Sequence, residues 1–190
     1  MTLAQLRAAV AAYAHRNDLA TLFPTFLELA EQRIYTGEAN APKVRVAAMR
    51  HFVQMADGSR PAGFLEALRV TEAGSQDKPL TYCPMESLGN ARNAYSWDGE
   101  ALVLSSDQGF PVGLTYYARL STPVNDSDTN WLLTNHSRLY LSAVLVEVGM
   151  WTQNDALAAR EAANYASAAS AIDSKERAAH ISGSILKVRR

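Results

Sequence analysis

Ser137–Trp151, SRLYLSAVLVEVGMW, reads as a helix with too few polar residues for a wet face. Leu139, Ala143, Val146 and Met150 recur at helical spacing and line one side. Leu141, Val144, Leu145 and Val148 lie elsewhere around the same helix. A helix that is apolar nearly all round is buried on more than one side. In a chain of 190 residues the second side is expected against a neighbouring subunit, through Leu141, Val144, Leu145, Val148 and Trp151.

Working outward, Thr134 or Asn135 offers a cap for this helix. Before it, Pro123 and the polar run NDSDTN (125–130) break the chain, and Asp128 or Thr129 can cap a turn at Trp131. After it, a second helix is expected from about Asp155 to Ala179. There Ala158, Ala162, Tyr165, Ala169 and Ile172 form a seam of mostly small side chains that lets another helix approach closely. Lys175, Arg177 and His180 near its end suit the negative pole of the helix dipole. Gly183 is followed by SILKVRR, in which Ile185, Lys187 and Arg189 alternate with Leu186 and Val188. This basic segment reads as extended, a form that can add a strand to another chain.

The first part of the chain is helical as well. Leu3, Leu6, Val10 and Tyr13 make one stripe, with Thr2 as N-cap. A second helix starts near Pro24, since proline suits the first helical turn. Phe23, Leu27, Ala30 and Ile34 form its face, with Phe26 and Leu29 beside it, and Gly37 marks its end. Between the helical parts the periodicity changes. Phe64–Glu72 and Val112–Leu120 suit strands. Asp98-Gly99 between AYSW and ALVLS is a two-residue hairpin signal. Asp57-Gly58 marks another turn, and 84–91 suits one short helix with Pro84 in its first turn. The fold class is therefore α+β, predominantly α. Residues 1–43 and 121–180 form a helical bundle, 44–120 an inserted antiparallel β region, and 181–190 a short extended tail.

Composition excludes several functions. Hydrophobic residues make up 48% and charged residues 19%, a globular balance. The net charge of -1 lacks the basic excess of a protein that grips DNA. The single cysteine, Cys83, rules out an internal disulfide and a Cys-based zinc cluster, and suits a reducing cytoplasm. MTLAQLRAAV has no basic stretch leading into an apolar core, so no secretory signal is expected, and no apolar run approaches a membrane span.

No catalytic or metal motif withstands comparison with a plainer role. His15, His51, His136 and His180 stand in no metal-ligand spacing. Cys83 lies in TYCPM, outside any nucleophile signature. Asp126-x-Asp128-x-Asn130 opens like a calcium loop, but Trp131 stands where that loop needs glycine and Ser137 where it needs glutamate. Glu28, Glu31 and Glu38 read as a solvated face. No catalytic residue, cofactor site or metal site is expected. Lys187, Arg189 and Arg190 are too few to specify DNA.

Taken in order, these segments resemble the bacteriophage head-to-tail adaptor family, also termed head completion or connector adaptor proteins. The resemblance runs from about Phe23 to Arg190. It rests on Phe23-Pro24-x-Phe26-x-x-Leu29-Ala30-Glu31-x-Arg33-Ile34, on Phe64-Leu65-Glu66 with Leu68-Arg69-Val70, and on Pro79-Leu80-x-Tyr82 with Pro84-x-Glu86-x-Leu88. Leu114–Arg119, Thr129-Asn130-Trp131-Leu132-Leu133 with Leu139-Tyr140, and the ending Ser182–Arg189 complete it. The stretch 43–62 matches least, with RPAGF where a proline-bounded turn is usual.

The resemblance implies a structural virion protein at the neck, made in the host bacterial cytoplasm and not an enzyme. It implies a ring of about twelve copies bound to the portal protein, with tail or further neck proteins below. DNA would pass through the channel without sequence-specific binding, and no membrane is involved. The tail Ser184, Ile185, Leu186, Lys187, Val188, Arg189 and Arg190 would reach the portal. Composition alone also admits a small α+β binding module with a ligand or regulatory partner, or an enzyme using Cys83 or a carboxylate pair.

Overall fold

A computed structural model describes the chain except residues 73–74, 76–77 and 183–190, and of 179–182 the backbone alone. The expected portal-binding tail, Ser184–Arg190, lies outside the described residues. The chain is α+β, and it divides into two compact units. One comprises Met1–Ala48 with the chain from Leu120 onward, and the other Met49–Arg119.

The first unit is helical, with α1 (Leu3–Ala14), α2 (Phe23–Thr36), α4 (Trp131–Asn135), α5 (Ser137–Trp151) and α6 (Asp155–Ser182). Thr2 caps α1 in a reciprocal box: its hydroxyl accepts from the Gln5 amide while the Gln5 side chain accepts from the Thr2 amide. Leu3, Leu6 and Val10 are buried, but Tyr13 at the end of the stripe is exposed. Helix α2 has proline in its first turn and ends at Gly37, whose amide bonds the Arg33 carbonyl. Phe23, Phe26, Leu27, Ala30 and Ile34 are buried, whereas Leu29 faces outward. The cap at Trp131 comes from Asn130, whose Oδ1 accepts from the Leu133 amide at 2.8 Å, rather than from Asp128 or Thr129.

Helix α5 is the axis of this unit, and α1, α2, α4 and α6 all pack on it. Its second apolar side is therefore covered by the chain itself. Helix α6 meets it through Leu157, Glu161, Tyr165, Ala169 and Ile172, which are buried. The approach is close at Gly149, where an added Cβ would lie 2.8 Å from the Ala158 amide nitrogen.

The second unit is built of strands and one short helix. They are β1 (Arg50–Met55), β2 (Phe64–Thr71), β3 (Thr81–Tyr82), α3 (Met85–Leu88), β4 (Ala94–Asp98), β5 (Ala101–Leu104) and β6 (Val112–Ala118). Strand β6 is central in an antiparallel sheet of order β1-β6-β2. The second sheet, β3-β4-β5, is mixed, because β3 and β4 run parallel and α3 lies in the crossover between them. This departs from the all-antiparallel region expected. Met55, Val70, Leu102, Val112, Leu114 and Tyr116 share one core with contributions from both sheets. The weakly matching stretch 43–62 supplies a 3-10 turn at Ala47–Met49 and strand β1. The hairpin turn falls one residue later than its signal suggests. Asp98 pairs with Ala101, so Gly99-Glu100 is the loop, with Gly99 at φ 58°. The Arg60 guanidinium lies over Phe64 and Trp97, at 4.9 and 5.0 Å, and donates to the Gly99 carbonyl at 2.7 Å.

Alanine is about 1 kcal/mol better than glycine in a helix interior. Gly149→Ala should nonetheless lower stability by about 1–3 kcal/mol, because its methyl meets the α6 backbone. Urea denaturation measures this, and a stabilised variant would contradict the close α5–α6 approach.

Candidate assembly surfaces

The residues expected to face a neighbouring subunit divide sharply. Val144, Leu145 and Val148 have no exposed surface, so in this conformation they cannot touch another chain. The expectation took an all-round apolar helix in a small chain to imply a partner. Here four helices of the same chain cover it. Leu141 is half-buried and Trp151 is exposed. The contact surface expected of this helix narrows to those two.

They occupy different surroundings. Trp151 meets the Phe26 ring edge-on at 5.8 Å, and the Arg16 guanidinium lies over the Trp151 ring, 5.3 Å from its centroid. Arg16 is in turn ion-paired with Asp18. Leu141 lies in a groove of about 830 Å³ between the end of α1 and the first half of α6. Tyr13, His15, Arg138 and Arg160 also line that groove.

Polar groups inside the helical unit join its elements. The buried Glu31 carboxylate accepts from the Tyr140 hydroxyl at 3.0 Å and from Thr122 at 2.5 Å. Asn130 donates to the Tyr140 oxygen at 2.8 Å and to the Ser121 carbonyl at 3.1 Å. This node ties α2 and α5 to the segment where the chain re-enters the helical unit. Glu31 is thus no part of a solvated face. Its signal was present in the sequence: it shares a stripe with Leu27, Ala30 and Ile34. A second polar cluster joins Arg33 to Glu147 at 2.6 Å and to Glu38, and Tyr165 donates to the Arg33 carbonyl at 3.0 Å. Burial works against the Arg33 cation, but the hydrogen bond and charge of Glu147, with Glu38, more than offset it. On α6, Glu161 accepts from Ser142 at 3.0 Å and pairs with Arg160.

The residues weighed for chemistry have other roles. Asp128 accepts from the Val124 and Asn125 amides, which hold its carboxyl below the usual range. Asp126 pairs with Arg7 at 2.8 Å, and Asn130 is a cap and network donor. The calcium-like run is therefore engaged in turns and caps. Burial, with Lys175 nearby, lowers the His136 pKa. The half-buried Cys83 thiol lies 3.3 Å from the Pro84 carbonyl. Among the described residues no cluster of three His, Cys, Asp or Glu could hold a metal, and no helix is long and apolar enough to cross a membrane.

The family model described as SU10 adaptor protein matches residues 1–187, through both units. The chain belongs to this family of phage head-to-tail adaptors. No curated protein matches it. As an SU10-type adaptor it is a structural virion component that interacts with other virion proteins, in a family that is not one of enzymes. Its internal polar networks accordingly serve the fold, and its exposed surfaces are where assembly is to be sought.

Tyr140→Phe should cost about 1–3 kcal/mol in urea denaturation, since Glu31 and Asn130 each lose a buried partner. No loss would mean that the node carries no stability. Burial also raises the Tyr140 phenol well above its ordinary range, and burial beside Glu38 pushes Tyr165 up to about 12. An unfolded phenol titrates near ~10. The unfolded state therefore releases these protons first, and stability that is full below pH ~10 should fall as pH rises towards 12. Tyr165→Phe should flatten that fall; an unchanged slope would remove Tyr165 as its source.

Proposed function

We propose that this adaptor assembles as a ring of about twelve copies on the portal and joins the phage head to the tail. The helical unit forms the ring body. Tail or further neck proteins bind below, and DNA crosses the central channel without being gripped. The observation that carries this reading is the family match over residues 1–187, which spans both units. The net charge of -1 agrees with a conduit that must let DNA slide.

The alternative of a ligand-binding module gains no support from the strand-unit cavity at Phe52, Arg69, Thr71 and Thr115, which at about 210 Å³ is below the ~300 Å³ at which small-molecule sites begin.

Head-to-tail rings use heterologous contacts, which close only at the right rotation per subunit. The portal supplies that rotation as a template. Residues 184–190 dock on the portal. Native mass spectrometry should find the free protein monomeric or weakly associated and a ring when portal is added. A stable ring without portal would refute templating. Deleting residues after Gly183 should abolish portal binding and leave the circular dichroism and melting temperature unchanged; undiminished binding would remove the tail from the contact.

A further inference from the structure

We propose that the ring-forming contact seats α2 of one copy in the α1–α6 groove of the next. This rests on the ring reading above and names the surfaces that close it. The groove is about 830 Å³, with Leu141 on its floor and Ala12, Tyr13 and Ala156 in its walls. The alanines leave room for a helix, which packs at about 8–10 Å between axes. Tyr13 is 55% exposed although it continues the buried α1 stripe, so about half of its surface is open to a partner.

The groove also holds a charge without a partner. Arg160 is taken by Glu161. Arg138 is exposed and forms no ion pair among the described residues. Helix α2 carries the complement. Thr25, Glu28, Leu29, Gln32 and Thr36 form its exposed stripe. Leu29 is 41% exposed at the centre of that stripe, and Glu28 beside it likewise has no ion-pair partner. A ridge with Leu29 at its centre, flanked by the Glu28 carboxylate, thus matches a groove with Leu141 on its floor, flanked by the Arg138 guanidinium.

The placement of the two surfaces suits a head-to-tail contact. Helix α5 faces α2 through Tyr140 and Glu147. At about 100° per residue, Leu141 and Arg138 lie about 100° and about 160° around α5 from Tyr140. The groove therefore opens on a different side of the unit from α2. Two complementary patches on different sides of one body propagate, whereas a patch that matches itself stops at a dimer.

The test uses the full chain with portal. On a Cys83→Ser background, Gln32→Cys and Ala156→Cys are combined in one chain and treated with a short bismaleimide. A covalent ladder extending beyond the dimer is expected, with none from either single-cysteine chain. Separately, Glu28→Arg and Arg138→Glu should each reduce the ring fraction at least tenfold, and the double variant should restore it. Rings visible by native mass spectrometry, without a ladder and indifferent to charge reversal, would overturn this contact and leave the ring reading standing. A ladder that stops at dimers would also overturn it. Failure of the unmodified chain to form rings on portal would remove both readings together.

Discussion

Burial of α5 around most of its circumference is the constraint on which the helical unit depends. A surface helix needs one apolar stripe and can vary elsewhere. Helix α5 has no such freedom, because α1, α2, α4 and α6 each require a matching face from it. This accounts for Gly149, where the α6 backbone comes too close for a side chain. It also accounts for the few polar groups allowed on α5. Ser142 and Tyr140 each reach a buried carboxylate, on Glu161 and Glu31, and Glu147 meets Arg33. Buried polar atoms of this kind destabilise unless paired, so each specifies which neighbouring helix sits where.

That arrangement separates folding from assembly. Apolar surface that might have served a partner is consumed by the chain's own core. What remains outside on the helical unit is scattered: Tyr13, Leu29, Val124, Trp131, Met150 and Trp151 are exposed, Leu141 is half-buried, and a few charges lie among them. Surfaces of this composition associate weakly as isolated pairs and gain strength when many contacts close together. A protein that must stay apart until a template organises it benefits from such weakness. The proposed ring and its α2-in-groove contact rest on this division.

Much of this was legible in sequence. The helices were marked by apolar spacing and by Thr2, Pro24 and Gly37, and the hairpin by Asp98-Gly99. The errors share a cause. Periodicity reports that a side is buried, not what buries it, so Val144, Leu145 and Val148 were assigned to a neighbouring subunit when α1, α2 and α6 lie around their helix. Charge type reports solubility in general, so Glu31 read as solvated although its stripe-mates were apolar. The parallel β3–β4 pair was hidden because two-residue strands carry no alternation. Leu141 and Trp151, at the edges of the apolar helix, were within reach of pattern reading. The groove was not, because its walls come from residues about 140 positions apart.

Cryo-electron microscopy of the head–tail junction in virions carrying this chain tests the central claim most directly. The account predicts a closed ring of this protein against the portal, with the helical unit forming its body and an open channel at its axis. Density for the chain elsewhere in the particle, or a junction built without it, would contradict the account.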